Sequence, residues 1–332
     1  MSAEVGDRRV EGVLPYWLDR PDEEALDIAL AVEEAGLDAL WIGELVTFDA
    51  VALATAIGDR TERLRLKLGP LAVGVRSPAA LALAASSVSR LTGKPVDLAL
   101  GASSPVIVSG WHDRSWEHPA SRMRETIEAL RPILAGERAW YEGDHVRVHG
   151  FRLRRPIPQT RICVAAFGPA MTRVAARHGD EVVLNLVPPE HVAAVRATVD
   201  EAAAAAGRTP PLVSVWVSVA VDPGEEGRRQ LASQLTIYLA PPGYAEMFSS
   251  LGFSELVELA KAGTRRGELA ERVPYELLEQ VCAIGSPGEV TARVSAYHEA
   301  GADVVGAVPS TAEDPGGRRA LAAATAARSA PA

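Results

Sequence analysis

The sequence predicts a (β/α)8 barrel with a helical insertion after the seventh strand, and three observations favour this fold class. Strand-like apolar runs alternate with amphipathic helical stretches along most of the 332 residues, which is typical of repeated β-α units. The strand-like runs are short and almost continuously apolar, as expected for a parallel sheet that is covered on both faces. Eight such runs are present, and eight β-α units that close on themselves make a (β/α)8 barrel.

The first half of the chain supplies four strand–helix pairs. The strands are predicted at 10–17, 37–44, 64–73 and 95–102, and the helices that follow them at 21–36, 49–59, 77–93 and 119–136. Pro21 and Gly36 stand where a first-turn proline and a helix-terminating glycine are expected. A long loop, 101–119, separates the fourth strand from its helix, and in a barrel such loops carry functional groups.

The second half of the chain supplies the other four strands, predicted at 161–166, 179–187, 211–221 and 301–309. Roughly 65 residues separate the seventh strand from a helix predicted at 286–301, which is too long for a bare connection. We therefore expect a helical insertion at about 225–283, over the barrel mouth, within a single domain that spans 1–332. The tail after Pro309 is predicted to form a last helix with a frayed end.

The composition argues against several classes of partner. The chain has 43 Asp and Glu against 34 Lys and Arg, so a basic surface for nucleic acid or for an anionic membrane is not expected. The sequence contains no apolar stretch of membrane-spanning length, and the segment MSAEVGDRRV has no apolar signal core. Cys163 and Cys282 lie in apolar contexts, which favours a reduced, cytoplasmic protein with two buried thiols. His and Cys are not paired at ligand spacing, so a metal site is not expected.

Two strand ends are followed by residues typical of a helix start. Ser104 and Pro105 follow the fourth strand, and Gly168 and Pro169 follow the fifth. The free N–H groups of a helix N-terminus can hold a phosphate, and two such starts on one rim could share an anionic ligand. Either one alone could equally be an ordinary helix cap.

The third strand ends in LGPLAVGVRSP (68–78), where two glycines and a proline indicate a bend. Such a bend lets a ligand approach the backbone closely. A simple turn from strand to helix is the alternative.

Several polar and aromatic side chains stand at the predicted strand ends. His112 and Trp116 occupy the loop after the fourth strand, where His112 could act as an acid or a base. Trp116 could cover a flat ring or pack the loop down. Tyr16 and Trp17 end the first strand and Asn185 ends the sixth. All three are expected to line a pocket, although Trp17 could equally belong to the core.

Common nucleotide-binding and hydrolase motifs are absent from the sequence. It contains no P-loop, no G-x-S-x-G elbow and no G-x-G-x-x-G fingerprint. The sequence therefore gives no support to serine hydrolysis or to an NAD-binding Rossmann domain.

Five segments at or near the strand ends follow one another in a familiar order. They are EEAGLDALWIGE (33–44), TERLRLKLGPLAV (61–73), GASSPVIVSGWHDRSWEHPASRMRETIEALRPILAGE (101–137), ICVAAFGP (162–169) and PGYAEMFSSLGF (242–253). Together they resemble the luciferase-like monooxygenase superfamily, most of all its actinobacterial branch that uses coenzyme F420, an 8-hydroxy-5-deazaflavin. The resemblance runs from about residue 10 to 310.

The resemblance implies an enzyme that transfers a hydride between the reduced deazaflavin and a small, apolar organic substrate. The cofactor ring would lie against a bulge after the third strand, where the family often has a non-proline cis peptide, which maps onto Leu71–Ala72. The implied cofactor-binding residues are Glu44, Gly69, Leu71, Ala72, Ser103, Ser104, Ala165, Ala166, Phe167, Gly168 and Pro169. The implied substrate-facing residues are Tyr16, Trp17, His112, Trp116, Asn185 and Tyr244. A homodimer is also implied, with its interface on helices such as 77–93.

One departure from the family pattern concerns the proton. Glu44 matches the family's carboxylate at the end of the second strand, but the next residue, a histidine in several deazaflavin enzymes, is Leu45 here. The proton that completes a reduction must then come from another group. Glu44, kept neutral by an apolar neighbourhood that includes Leu45, could supply it, and so could His112. Alternatively, the chain binds the cofactor without turnover.

A further alternative keeps the fold and replaces the deazaflavin by FMN. Both rings fit one barrel and both cofactors carry a phosphate, so the sequence separates them poorly. With FMN and oxygen the chain would be a monooxygenase, whereas a deazaflavin has carbon at position five and does not form the oxygen adduct that monooxygenation needs.

Overall fold

The structure, a computed structural model, describes residues 8–329. Its strands are β1 (Arg9–Val13), β2 (Ala39–Ile42), β3 (Arg65–Ala72), β4 (Val96–Gly101), β5 (Ala139–Glu142), β6 (Arg147–Phe151), β7 (Ile162–Ala165), β8 (Glu181–Asn185), β9 (Leu212–Val221), β10 (Cys282–Gly285) and β11 (Val304–Pro309). Its α-helices are α1 (Glu24–Glu34), α2 (Ala50–Arg60), α3 (Pro78–Thr92), α4 (Pro119–Ala135), α5 (Pro169–His178), α6 (Pro189–Ala205), α7 (Glu225–Leu235), α8 (Tyr244–Ser250), α9 (Ser254–Lys261), α10 (Arg266–Arg272), α11 (Tyr275–Val281), α12 (Pro287–Glu299) and α13 (Arg318–Ala326). A π-helix, Val106–Trp111, follows β4.

The strands form the (β/α)8 barrel that the sequence predicts. Their order is β10-β9-β11-β1-β2-β3-β4-β7-β8, with a further pairing between β9 and β8. The barrel strands are therefore β1 to β4, β7, β8, β9 and β11. The predicted fold class is confirmed, and the helical insertion after the seventh barrel strand consists of α7 to α11. The last helix is α13, and the predicted frayed end at 330–332 lies outside the described residues.

The hairpin β5–β6 and the short strand β10 have no counterpart in the sequence prediction. β5 and β6 pair antiparallel after α4, and β10 pairs in parallel with the end of β9. In β5 the side chain of Trp140 is 73% exposed and stacks on His149, so this segment lacks the apolar run that marks the buried strands. β10 has only 4 residues, too few for a periodic pattern to appear.

The first two barrel strands end earlier than predicted. β1 ends at Val13 and β2 at Ile42. Tyr16, Trp17 and Glu44 consequently belong to the loops that follow these strands, which is where a barrel carries its functional side chains.

The described chain divides into two compact units. The first unit comprises 8–37, 184–194 and 214–329, and the second comprises 38–183 and 195–213. In the first unit, β11 pairs in parallel with both β1 and β9. In the second unit, β2, β3, β4 and β7 pair in parallel in this order, and β7 pairs with the first residues of β8.

The core of the second unit contains a buried ion pair. Lys67 of β3 donates to the two carboxylate oxygens of Glu181 on β8 at 2.9 and 2.8 Å, and the two side chains are 1% and 0% exposed. The Lys67 ammonium lies 4.3 Å from the ring centroid of Trp41 on β2. The thiol of Cys163 on β7 donates to Glu181 at 3.4 Å. Side chains from four strands therefore meet at one charged centre inside an otherwise apolar core.

We expect Lys67→Met to lower the free energy of unfolding by about 3–5 kcal/mol, because the charge of Glu181 would remain buried without its partner. Urea unfolding followed by circular dichroism measures this loss. The double variant Lys67→Met, Glu181→Met removes both charges and should recover most of it. Lys261→Met is the matched control, since Lys261 pairs with Glu258 at an exposed site and such pairs contribute about 0–1 kcal/mol. Equal losses in Lys67→Met and Lys261→Met would contradict a stabilising role for the buried pair.

Candidate functional site

A bulge in β3 shapes the backbone near the end of this strand. β3 pairs regularly with β4 as far as Leu68 and again from Leu71, so Gly69 and Pro70 together face the single residue Ala99. Gly69 has a φ of 123°, and a Cβ at this position would lie 2.2 Å from the carbonyl oxygen of Ala99. Only glycine tolerates this close approach of two backbones.

The peptide bond between Gly69 and Pro70 is cis. The prediction of a non-proline cis peptide at Leu71–Ala72 is wrong, because the cis bond lies earlier in the strand and precedes a proline. The tertiary amide before a proline has a much weaker preference for the trans form than other peptide bonds. The bulge itself lies at the predicted place, with Leu71 buried and Ala72 half-buried at its end.

Glu44, in the loop after β2, is held in an ion pair. Arg76 donates to its two carboxylate oxygens at 2.8 and 2.7 Å, and the backbone N–H of Ala50 donates to it at 3.0 Å. Arg76 also contacts Asp49 at 3.3 Å, whose side chain caps the N-terminus of α2. A bidentate guanidinium contact orients a carboxylate firmly. The surroundings of Glu44 are therefore ionic, and the premise of an apolar neighbourhood that keeps it neutral is wrong.

Arg76 also connects Glu44 to the bulge. Its backbone N–H donates to the carbonyl of Ala72 at 3.2 Å, and the N–H of Val73 donates to the carbonyl of Gly101, at the end of β4, at 3.1 Å. Glu44, the end of the bulge and the end of β4 thus form one connected corner. Sequence reasoning missed Arg76, although an arginine directly after a glycine-rich bend, in VGVRSP, was the available signal.

The segment after β4 turns sharply at Ser103, whose φ of 62° lies in the left-handed region. Ser103 is exposed and Ser104 is half-buried. The Ser104 hydroxyl accepts a long hydrogen bond, 3.4 Å, from the backbone N–H of Ile107. Ser104 and Pro105 do precede a helical segment, as predicted, but this segment is a π-helix of 6 residues and is too short to build up a substantial helix dipole.

Trp116 and His112 have different surroundings in the loop after β4. The indole N–H of Trp116 donates to the carbonyl of Ala102 at 3.1 Å, which is the loop-packing role that the sequence allowed. The backbone N–H of His112 donates to the carbonyl of Ile107 at 3.2 Å. The His112 side chain is exposed.

The turn after β7 leads into α5 at the predicted residues. Gly168 precedes the helix with a φ of 77°, and Pro169 is its first residue. No side chain caps the N-terminus of α5, and its first turn contains no acidic residue. A Cβ at Gly168 would meet no atom within 4 Å, so the space beside this helix start is open. Ala165 and Phe167 are half-buried and Ala166 is buried.

In the first unit, three polar side chains meet at the end of β8. The hydroxyls of Tyr238 and Tyr244 both hydrogen-bond with the side chain of Asn185, and the two ring centroids lie 5.0 Å apart. Burial raises the pKa of both phenols. The sequence indicated Asn185 and Tyr244 as substrate-facing and missed Tyr238, which lies in an irregular turn after α7 where no periodic pattern marks it.

Trp17 is part of the packing of the first unit. Its indole N–H donates to the carbonyl of Pro309, the last residue of β11, at 2.9 Å, and its side chain is 7% exposed. This is the core role that the sequence left open for Trp17. Tyr16 is half-buried.

Two helix N-termini in the first unit are occupied by carboxylates of the chain itself. Glu313 accepts from the backbone N–H groups of Gly224 and Gly227, at the start of α7, at 2.7 and 3.3 Å. Asp314 accepts from two backbone N–H groups in the first turn of α13 at 3.2 and 3.0 Å. The loops after the last two strands form the usual phosphate site of (β/α)8 barrels. Carboxylates at both helix starts oppose a phosphate there by charge repulsion.

Within residues 8–329, no group of three or more His, Cys, Asp or Glu side chains could hold a metal ion. The same range contains no helix with both the length and the apolar character needed to cross a membrane. Cys163 and Cys282 are both buried, unbridged thiols.

The fold and the connected corner define a (β/α)8 protein of the kind that binds a ligand at the carboxyl ends of its strands. More particularly, the chain belongs to the luciferase-like monooxygenase family, whose model matches residues 10–304, and this is a family of enzymes. The resemblance seen in the sequence is therefore confirmed.

Relatives and solved structures extend this comparison. A Mycobacterium tuberculosis protein provisionally named a coenzyme F420-dependent oxidoreductase is 25% identical and covers 90% of this chain and 94% of its own length. The coenzyme F420-dependent tetrahydromethanopterin reductase of Methanopyrus kandleri has a TM-score of 0.78 at 17% identity, covering 97% of this chain and 98% of its own. A type II Baeyer–Villiger monooxygenase of Pseudomonas putida in complex with FMN has a TM-score of 0.68 at 18% identity, covering 96% of both chains. The two structural likenesses show the shared fold.

Ser103→Gly should stabilise the free protein and weaken cofactor binding. Glycine adopts the left-handed φ of this position without the steric strain that serine has there. After glycine's own entropic cost, we expect a gain of about 0.5 kcal/mol in the free energy of unfolding. Removal of the hydroxyl should weaken deazaflavin binding if Ser103 contacts the phosphate. Asp113→Gly is the matched control, because Asp113 has a φ of 51° in the same loop and is not predicted to bind cofactor. Urea unfolding and a fluorescence titration measure the two effects, and equal cofactor affinity in both variants would remove Ser103 from the site.

Proposed function

We propose that this chain is an oxidoreductase that uses coenzyme F420 and exchanges a hydride with a small, largely apolar organic substrate. The proposal is carried by three strand ends of the second unit: the bulge near the end of β3, the Ser103–Ser104 turn after β4 and the open start of α5 after β7. The provisional name of the Mycobacterium tuberculosis relative, which specifies coenzyme F420, supports the choice of cofactor.

The residues at these three strand ends fit a flat ring that carries an anionic tail. The bulge interrupts the ladder between β3 and β4 at Gly69 and Pro70, directly before Leu71, which leaves backbone groups there for a ring edge. The uncapped N-terminus of α5, after Ala165 to Gly168, offers N–H groups and a positive dipole end to a phosphate. The hydroxyls of Ser103 and Ser104 add two donors. When bound, the deazaflavin supplies the hydride, while the chain binds it, orients it and excludes water.

FMN is the second candidate cofactor. The same three strand ends would accept any flat ring with a phosphate, and one solved structure of this fold holds FMN. The cofactor decides the chemistry, because FMN can form the oxygen adduct of a monooxygenase and a deazaflavin cannot. Selective binding measurements therefore separate the two reactions before any substrate is known.

Within this proposal, Glu44 is a positioning residue and His112 is the proton-transfer residue. Both oxygens of Glu44 are bound by Arg76, and the Ala50 N–H adds a third donor. Leu45 has no proton to exchange. His112 carries an exposed imidazole on the loop after β4, and imidazole is the commonest acid–base group in enzymes. Glu44 and His112, the two candidates for proton transfer, thus have different surroundings. The exposed imidazole of His112 is better suited to transfer a proton than the ion-paired carboxylate of Glu44.

The proposed substrate is uncharged. In the first unit, Glu313 and Asp314 occupy the helix N-termini that commonly bind substrate phosphate in this fold. The phenols and the amide at the end of β8 are also neutral groups. These features favour a substrate that is recognised by shape and by hydrogen bonds over one recognised by charge.

Titration of the purified chain with oxidised coenzyme F420 and with FMN, followed by fluorescence quenching, tests the cofactor. We expect F420 to bind at least about tenfold more tightly than FMN, a difference of roughly 1.4 kcal/mol.

The Ala170 variants test whether the start of α5 holds the phosphate. Ala170→Glu should weaken F420 binding by repelling the phosphate, whereas Ala170→Gln, of similar size, should not. Glutamate in the first turn of a helix is stabilising, so the fold should survive. Tighter binding of FMN would shift the reaction to oxygen chemistry, and equal affinities of the two Ala170 variants would exclude α5 as the phosphate site.

His112→Ala should lower kcat by about 100-fold or more if His112 transfers the proton, with F420 affinity unchanged. The assay follows oxidation of the bound, reduced deazaflavin by candidate substrates. Asp113→Ala is the control in the same loop, and Glu44→Gln tests the positioning role. Turnover at the wild-type rate in both His112→Ala and Glu44→Gln would reject this proton route. If no substrate oxidises tightly bound, reduced F420, the chain binds the cofactor without turnover.

A further inference from the structure

We propose that a cavity in the first unit binds a small organic amine as its ammonium ion, with an apolar body on the floor of the cavity and the charged group at its acidic rim. The inference goes beyond the proposed function, because it concerns a second ligand and needs neither coenzyme F420 nor turnover. The cavity has a volume of about 700 Å³. Small-molecule sites usually have volumes of roughly 300–1,000 Å³.

Four segments of the first unit enclose the cavity. They are the start of α6 with the residues just before it, the second half of α8 with the residue after it, α11 and α12. Pro188 and Met247 are buried and Leu251 is half-buried, so these apolar side chains form the floor. Ala194, on α6, is an exposed residue of the lining. Apolar surface that helix packing leaves uncovered is favourable for a hydrocarbon chain or a ring.

Three glutamates form the rim of the cavity. Glu190 lies in the first turn of α6, and Glu276 and Glu279 lie on α11. All three are exposed. A carboxylate in a first helical turn, such as that of Glu276, stabilises its own helix, but Glu279 lies three positions further on. Like charges at this spacing repel each other, so the second carboxylate does not help α11 to form.

The other helices of the insertion neutralise their glutamates. Glu258 pairs with Lys261 on α9 at 3.0 Å, and Glu268 pairs with Arg272 on α10 at 3.1 Å. On α11 there is no basic residue in the last turn, and within residues 8–329 neither glutamate of this helix forms an ion pair. The helix face without a cation is therefore the face that lines the cavity.

The basic side chains of the lining do not balance this charge. The Arg293 guanidinium donates to the backbone carbonyl of Gln280 and lies 5.4 Å from the ring centroid of Tyr297, a fully buried residue. Burial lowers the pKa of His191, so its imidazole is uncharged at neutral pH. Three carboxylates thus stand against one guanidinium that already has partners. A positively charged ligand is favoured, and a carboxylate or phosphate ligand is repelled.

The spacing of the acidic groups favours an organic cation over a metal ion. In residues 8–329, no three His, Cys, Asp or Glu side chains are grouped closely enough to hold a metal, although three glutamates and His191 line one cavity. A metal ion needs several ligand atoms within roughly 2.0–2.6 Å. An ammonium group has three donors and can contact one carboxylate while the others attract it through space. An amine on an apolar body therefore matches both the rim and the floor.

The test compares three compounds of similar shape and different charge. The purified full-length chain, without cofactor, is titrated with phenethylamine, phenethyl alcohol and hydrocinnamate, and ligand-detected saturation-transfer NMR gives the affinities. We expect the amine to bind about tenfold more tightly than the alcohol, and the carboxylate to bind most weakly. The double variant Glu276→Gln, Glu279→Gln should weaken amine binding by about three- to fivefold and leave the alcohol unchanged. Ala194→Trp should fill the cavity and weaken binding of both compounds.

Each variant has a matched control. Glu255→Gln, Glu271→Gln removes two exposed charges from α9 and α10 that do not line the cavity, and Ala193→Trp adds the same ring at an exposed neighbour on α6. Neither control should change amine affinity. Equal loss in the two double glutamine variants would show that the amine responds to the net charge of −9 and would overturn the inference.

Two further outcomes would reject the amine site. One is equal wild-type affinity for the amine and the alcohol. The other is unchanged amine affinity in both the Glu276→Gln, Glu279→Gln variant and Ala194→Trp, with circular dichroism confirming that both are folded. Because coenzyme F420 is absent from these titrations, their result is independent of the proposed function.

Discussion

The buried pair of Lys67 and Glu181 is the constraint on which the second unit depends. β3 and β8 are not neighbours, since β4 and β7 lie between them in the sheet, yet the two side chains meet at 2.8 Å. Each charge would cost several kcal/mol if it were buried alone, so a register that separates them is strongly disfavoured. The register that joins them also aligns β3, β4, β7 and β8 with one another.

Charged side chains within the strands are enclosed in the core, whereas a charged side chain that follows a strand remains partly exposed. Asp97, paired with Lys67 in the ladder, is fully buried and accepts from Arg65 at 3.0 Å and from the Arg161 N–H at 3.1 Å. Burial raises the pKa of Asp97, while Arg65 and Lys67 oppose this effect. Such groups are enclosed within the sheet. Glu44, in contrast, follows a strand and remains partly exposed in its pair with Arg76. This division matches the general rule that (β/α)8 enzymes carry function at the carboxyl ends of their strands.

How much could be predicted depended on whether a feature is local in the sequence. The barrel strands and the start of α5 at Pro169 follow from apolar runs and from helix-start residues, which are local signals. Tyr238 could not be found in this way, because its partner Asn185 is distant in the chain and only the fold brings the two together. Arg76 follows a local bend, but nothing local shows that its partner is Glu44. The hairpin β5–β6 was missed for another reason: Trp140 lies on its exposed side, so hydrophobicity did not mark the segment as a strand. The cis bond at Gly69–Pro70 was assigned by resemblance to the wrong residues, although proline itself was the better guide.

The residue after Glu44 is Leu45, which offers no polar group at this strand end. In a (β/α)8 barrel each strand end contributes its side chains independently, so the loss of one polar group does not remove the others. Here the carboxylate beside Leu45 is engaged by Arg76, and the neutral donors Tyr238 and Tyr244 converge on Asn185 at a different strand end.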